Sequence, residues 1–159
     1  MTLVFNASPL IVLAKSGLLD CFLKLGDEIM VPRAVADEIS CAKILTDPAR
    51  SWITRQTRLI QPSTAVSPFI MAWDLGAGES AVISLTAMYP GAIAVLDDLA
   101  ARRCAQALGL QITGTLGLVL KAKRAGLIPS ASQALDAITA AGLYISPHHL
   151  ETLRVQAGE

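Results

Sequence analysis

Short unbroken apolar runs alternate along the chain with stretches in which apolar residues recur three or four positions apart, the pattern of buried strands followed by amphipathic helices. Leu3-Val4-Phe5 is the first such run and ends at Asn6; Ser8-Pro9 then supplies a helix N-cap with proline at the first helical position. Leu10, Leu13, Ala14, Leu18, Leu19 and Phe22 continue at helical spacing, with Gly17 dividing them between two short helices. Ile29-Met30-Val31 reads as a second strand, and Pro32 as the opening of a helix whose apolar stripe is Ala34, Val35 and Ile39. A helical stretch from Ala49 to Arg55 precedes a weak strand at Leu59-Ile60, and Gln61 to Pro68, rich in proline and serine, reads as a connection. From Gly78 to Met88 the residues Ala81, Val82 and Leu85 predict a helix that stops at Tyr89-Pro90-Gly91. Ala92 to Leu96 is a continuous apolar strand, Ala100 to Leu108 a helix closed by Gly109, and Leu110 to Thr113 a fifth strand. Helices from Gly114-Thr115 through Arg124, around Ser132 to Ala141 and from Pro147 to Val155 complete the pattern.

Strands alternating with helices imply right-handed crossovers and therefore a parallel sheet covered on both faces. The expected fold class is α/β, a three-layer α/β/α sandwich with about five parallel strands. The length of 159 residues suits a single domain, 1–159, with the helices from about residue 130 packed on it. Ligands of such sheets sit beyond the carboxyl ends of the strands.

Hydrophobic residues make up 53% of the chain and charged residues only 16%, so some apolar surface is expected to be covered by a second subunit. Thirteen Lys and Arg balance thirteen Asp and Glu, which excludes a polycation that binds nucleic acid through bulk charge. The uncharged stretches Ser80–Leu96 and Cys104–Leu120 are interrupted by Pro90-Gly91 and by Gly109, Gly114 and Gly117, and neither reads as a membrane span. No basic residue precedes the apolar start at Leu3, which argues against a secretory signal and for a cytoplasmic protein. Cys21, Cys41 and Cys104 are odd in number and widely spaced, so they read as free thiols rather than a disulfide or zinc framework. His148-His149 have no partner at metal-ligand spacing.

Asn6 would end the first strand and Asp97-Asp98 the fourth, Glu79 would open the helix before that strand, and Asp37-Glu38 would lie on the helix after the second. These segments, with Ser8, would present oxygen atoms on one rim. Crowded carboxylates repel one another unless a cation sits between them, and oxygen ligands suit Mg²⁺ or Mn²⁺ with a phosphodiester substrate. Each residue also has a simpler role: Asp97 or Asp98 as an N-cap, Glu79 as a first-turn acid, Glu38 and Asp37 as solvated residues, Asn6 and Ser8 as a turn or cap pair. Arg102-Arg103, Lys121 with Lys123 and Arg124, and the N–H groups at Thr115 are candidates for phosphate contacts, or else a solvated face and a plain helix cap. A rival reading is a dinucleotide-binding module, since Gly76-x-Gly78-x-x-Ala81 fits GxGxxA with Asp97 downstream; against it, Met71 to Leu75 does not read as the strand that must precede the fingerprint.

The segments Val4-Phe5-Asn6-Ala7-Ser8-Pro9-Leu10-Ile11, Val31 through Ile39, Gly76-Ala77-Gly78-Glu79-Ser80-Ala81 and Leu96-Asp97-Asp98 through Arg103 resemble the PIN-domain nucleases. The nearest likeness is to a PIN-like branch described as predicted nucleic-acid-binding protein, related to the VapC-type ribonuclease toxins; Thr113 through Gly117 and Tyr144-Ile145-Ser146-Pro147 share it. The resemblance implies cleavage of RNA dependent on Mg²⁺ or Mn²⁺, with Glu38, Glu79 and Asp97 or Asp98 as metal-holding catalytic acids. It also implies Ser8 as the small hydroxyl residue of the site, a homodimer, and an antitoxin protein as a further partner. Asn6 stands where the family usually carries its first aspartate. An amide offers one carbonyl oxygen but no charge, so the alternative is a PIN-like RNA-binding or partner-binding module with weak or absent catalysis.

Overall fold

A computed structural model of the protein describes residues 1–41 and 47–159. Its apolar runs form β1 (Thr2–Phe5), β2 (Glu28–Pro32), β3 (Ile60–Gln61), β4 (Ile93–Val95) and β5 (Gln111–Thr113), joined in one parallel sheet of order β3-β2-β1-β4-β5. Val4 pairs with Met30 on one side and Ala94 on the other. Because β1 is central and covered on both faces, Leu3, Val4 and Phe5 are all fully buried, which is why this strand reads as an unbroken apolar run rather than an alternating one.

Among the described residues ten helices surround the sheet: α1 (Ala7–Lys15), α2 (Leu19–Leu23), α3 (Arg33–Ser40), α4 (Pro48–Arg55), α5 (Pro68–Met71), α6 (Ala77–Met88), α7 (Leu99–Ala107), α8 (Thr115–Arg124), α9 (Ala131–Ala140) and α10 (Pro147–Ala157). Helices α1, α3 and α4 pack together, α6 packs on β1, β2 and β4 and against α7, and α8 carries α9 and α10. The three-layer α/β/α architecture is as expected. Gly17, at φ +72°, makes the left-handed turn that separates α1 from α2.

Three local expectations need correction. Asn6, not Ser8, is the N-cap of α1; its backbone is extended (φ −86°, ψ 167°), and Ser8 and Pro9 lie inside the first turn. Pro32 is both the last residue of β2 and the N-cap of α3, so the helix itself begins at Arg33. The connection expected from Gln61 to Pro68 contributes Gln61 to β3, and Pro68 opens the short α5, capped by Ser67 Oγ accepting from Ile70 N–H at 3.4 Å. Leu59 falls in a single 3-10 turn, Thr57–Leu59, ahead of β3.

β1 and β4 are neighbours, and the chain leaves them in opposite directions across the sheet, toward β2 and toward β5. Doubly wound sheets bind ligands outside the carboxyl ends of the strands at such a switch point.

Candidate functional site at the carboxyl rim

Asn6 follows β1 and donates its N–H to Val95 O of β4 at 3.2 Å, which seats it at the switch point. Its side chain caps nothing: Oδ1 is buried and has no hydrogen-bond partner, although the residue is only 5% exposed. A buried carbonyl oxygen left unpaired costs about 1–3 kcal/mol, and Oδ1 is an acceptor free to take a ligand.

Gly78 in the first turn of α6 brings that oxygen and Glu38 of α3 together. A Cβ at Gly78 would stand 2.7 Å from Glu38 Oε2 and 3.2 Å from Asn6 Oδ1, so both oxygens close on the space the glycine leaves. Glu79 reaches back to accept from Gly76 N–H at 2.8 Å, which fixes its carboxylate at the helix start. Glu38 has its carboxyl pushed above the usual range, first by burial and then by the charge of Glu79. Asp37, Glu38 and Glu79 line a common cleft of about 460 Å³ between α3 and α6.

Asp97 lies on the other side of the switch point. Its carboxylate accepts from Thr115 N–H at 2.7 Å and from Thr115 Oγ1 at 2.6 Å, so it sits on the N-terminus of α8. Gly114 makes room, since a Cβ there would be 2.9 Å from Asp97 Oδ1 and 2.9 Å from Arg102 Nη1. Arg102 Nη1 donates to Leu96 O at 3.0 Å. Asp98 accepts from Ala101 N–H at 2.8 Å as the N-cap of α7, so of the adjacent pair it is Asp97 that faces the inner end of the sheet.

The expected convergence therefore divides in two: Asn6, Glu38 and Glu79 around Gly78, and Asp97 with Thr115 and Arg102 around Gly114. Among the described residues, no three acidic, histidine or cysteine side chains come together as a metal-holding group. Ser8 is exposed on the first turn of α1, at the same end of the sheet. Thr115 does not fit the expected phosphate contact, because its N–H and its hydroxyl are both spent on Asp97. Lys121 belongs to the last turn of α8, roughly 9 Å along the axis from Thr115. Arg103 is exposed on α7.

Two features escaped the sequence reading. Gly78 is the contact point of the cleft, and its signal was the GxGE spacing, which doubles as part of a dinucleotide fingerprint. In the structure the residues ahead of Gly76 form α5 and a turn rather than a strand, so that fingerprint lacks its context. His149 lines a pocket of about 420 Å³ together with Asp97 and Arg102, a meeting of α10 with α7 that no local pattern announces.

All three cysteines are free thiols. Among the described residues no helix is long and apolar enough to cross a membrane. Compared with known proteins, the chain matches a family model described as a PIN domain over residues 2–159. No curated protein and no solved structure matches it.

Proposed function

This chain belongs to the PIN-domain family, and from that premise we propose that it is a divalent-metal-dependent ribonuclease whose cleft lies between α3 and α6. The carrying observation is the buried, unpartnered Asn6 Oδ1 beside the Glu38 carboxylate, which is itself destabilised by Glu79. One neutral oxygen and two mutually repelling carboxylates form a donor set that a hard cation satisfies.

Glu38, Asn6 and Glu79 would hold Mg²⁺ or Mn²⁺, with Asp97 as the further acid across the switch point. With so few protein ligands the ion would keep much of its water, as Mg²⁺ commonly does. A cation there supplies Lewis acidity toward a phosphodiester oxygen and lowers the pKa of water. The chain's own residues orient the reactants: Thr115 pins both oxygens of Asp97, Gly76 N–H fixes Glu79, and Gly78 keeps the space between Glu38 and Asn6 open. Ser8 and Arg103, exposed near this rim, are the remaining candidates for phosphate contacts.

The proposal includes action in the cytoplasm, where Cys21, Cys41 and Cys104 stay reduced, and a homodimer that covers exposed apolar side chains such as Tyr144 and Val155. A toxin role with an antitoxin partner rests on the VapC likeness alone. A second reading, a PIN-like module that binds RNA without cutting it, is favoured by the neutral Asn6, which supplies no charge to the site.

Cleavage of a mixed cellular RNA pool with Mn²⁺ and with chelator separates the readings. The nuclease requires cleavage that chelator and Glu79→Gln both abolish. Silence from wild type and Glu79→Gln together with cutting by Asn6→Asp would assign the native protein to binding.

A further inference from the structure

A second concavity borders the acidic cleft, over the carboxyl ends of β2 and β3. It is a pocket of about 430 Å³ between the start of α3, the β3–α5 segment and the start of α6, and it shares Ala34 and Ala77 with the cleft, so the two are continuous. Their chemistry differs. Pro32, Pro62, Val66, Met71 and Leu75 give this pocket an apolar wall, and Met71 stands 65% exposed in it. Arg33 and Asp74 supply one charge of each sign, and Ser80 a hydroxyl.

The rim poses a problem for a polyanion. Glu38 and Glu79 repel phosphate except where a cation sits between them, Thr115 is occupied, Arg102 is bonded to Leu96 O, and Ser8 and Arg103 are the exposed groups left for phosphate contacts. With charge balanced over the whole chain, electrostatic attraction is weak, and a strand needs an anchor that does not depend on charge. Burying the face of a base against apolar side chains is such an anchor, because removing apolar area from water is favourable whichever base supplies it. A concave, mostly apolar pocket of this volume with a few convergent polar groups suits one planar ring system, rather than the broad patch of about 800 Å² a side that a protein partner takes.

We propose that the pocket bounded by α3, the β3–α5 segment and α6 holds an unstacked base of the RNA, next to the phosphodiester over the acidic cleft, with Arg33 meeting the adjoining backbone phosphate. The occupant rests on the RNA reading above; the pocket and its continuity with the cleft do not.

The test is fluorescence anisotropy with single-stranded RNA octamers, each carrying one abasic nucleotide, in the presence of Mn²⁺ and in the Glu79→Gln background so that strands stay intact. Loss of one particular base is expected to weaken binding about fivefold to tenfold through the apolar area no longer buried. Adding Met71→Ala, or separately Val66→Ala, is expected to flatten that profile without lowering the melting temperature of the exposed Met71 variant. Tight binding with a flat abasic profile, or a profile that neither variant changes, overturns the base pocket and leaves the nuclease reading standing. No RNA binding, combined with no Mn²⁺-dependent cleavage by wild type, overturns both. Self-association lost in Met71→Ala with an unchanged abasic profile assigns the groove to a second copy and overturns the proposal.

Discussion

At the scale of single residues, the rim trades stability for an arrangement that is uncomfortable without a ligand. Gly78 is the sharpest case. Alanine in an α-helix is about 1 kcal/mol better than glycine, yet a methyl there would meet Glu38 Oε2 at 2.7 Å, the movable end of a flexible side chain. Gly78→Ala is therefore expected to fold with a melting temperature equal to or above wild type and to lose metal-dependent cleavage, checked by thermal denaturation beside an RNA assay. Asn6→Asp should act the other way. Burying a carboxylate beside Glu38 is expected to cost about 1–3 kcal/mol in metal-free buffer, with much of that recovered on adding Mn²⁺, as calorimetry would show. Glu38 also sets a pH dependence. Its folded-state pKa is raised, so the native state binds the proton more tightly than the unfolded chain, and stability falls as pH rises above the ordinary carboxylate range. Glu38→Gln should remove that slope and raise the melting temperature at neutral pH; an unchanged slope would place the cause elsewhere.

At the scale of elements, the helix starts are largely spelled out by short polar residues. Asp47, Ser67, Asp98, Ser130 and Ser146 each accept a backbone N–H at the start of the helix that follows. Asp98→Ala should cost about 1 kcal/mol of stability while leaving cleavage near wild type, because the carboxylate is spent on α7; a large loss of activity would instead make Asp98 the functional acid. The start of α9 has a second support that no local pattern shows. Glu159 pairs with Lys123 and accepts from the N–H groups of Ala131 and Ser132, and these contacts hold its carboxyl far below the usual range. A depressed pKa contributes stability that is present at neutral pH and lost as pH falls into acid. Glu159→Gln is expected to lower the melting temperature by a few degrees at pH 7 and to narrow the gap from wild type in acid, read by a pH series of melts.

At the scale of the whole molecule, the charges of Glu38 and Glu79 predict a linkage: Mn²⁺ should raise the melting temperature of wild type and not that of Glu38→Gln, whether or not RNA is cut. The alternation of strands and helices and the parallel sheet were legible in the chain. Apolar runs and helical spacing report burial directly, and strand ends follow from them. Where the reading slipped, two local signals competed. Ser8-Pro9 has the form of a cap, but α1 begins directly after β1, and Asn6 with its extended backbone takes the cap position. Asp97 and Asp98 are adjacent acids of equal local promise, and only the arrival of Thr115 from beyond β5 distinguishes them. The sequence by itself determined most of the strands and the longer helices and which residues carry oxygen near strand ends, because these depend on spacing and burial along the chain; the short α5 and the 3-10 turn before β3 carry too few residues for a period to show. Only the tertiary structure decided which oxygens meet, that Thr115 is spent on Asp97, and that an apolar pocket adjoins the acidic cleft, because contact between residues dozens of positions apart is set by how the helices pack over the sheet's edge.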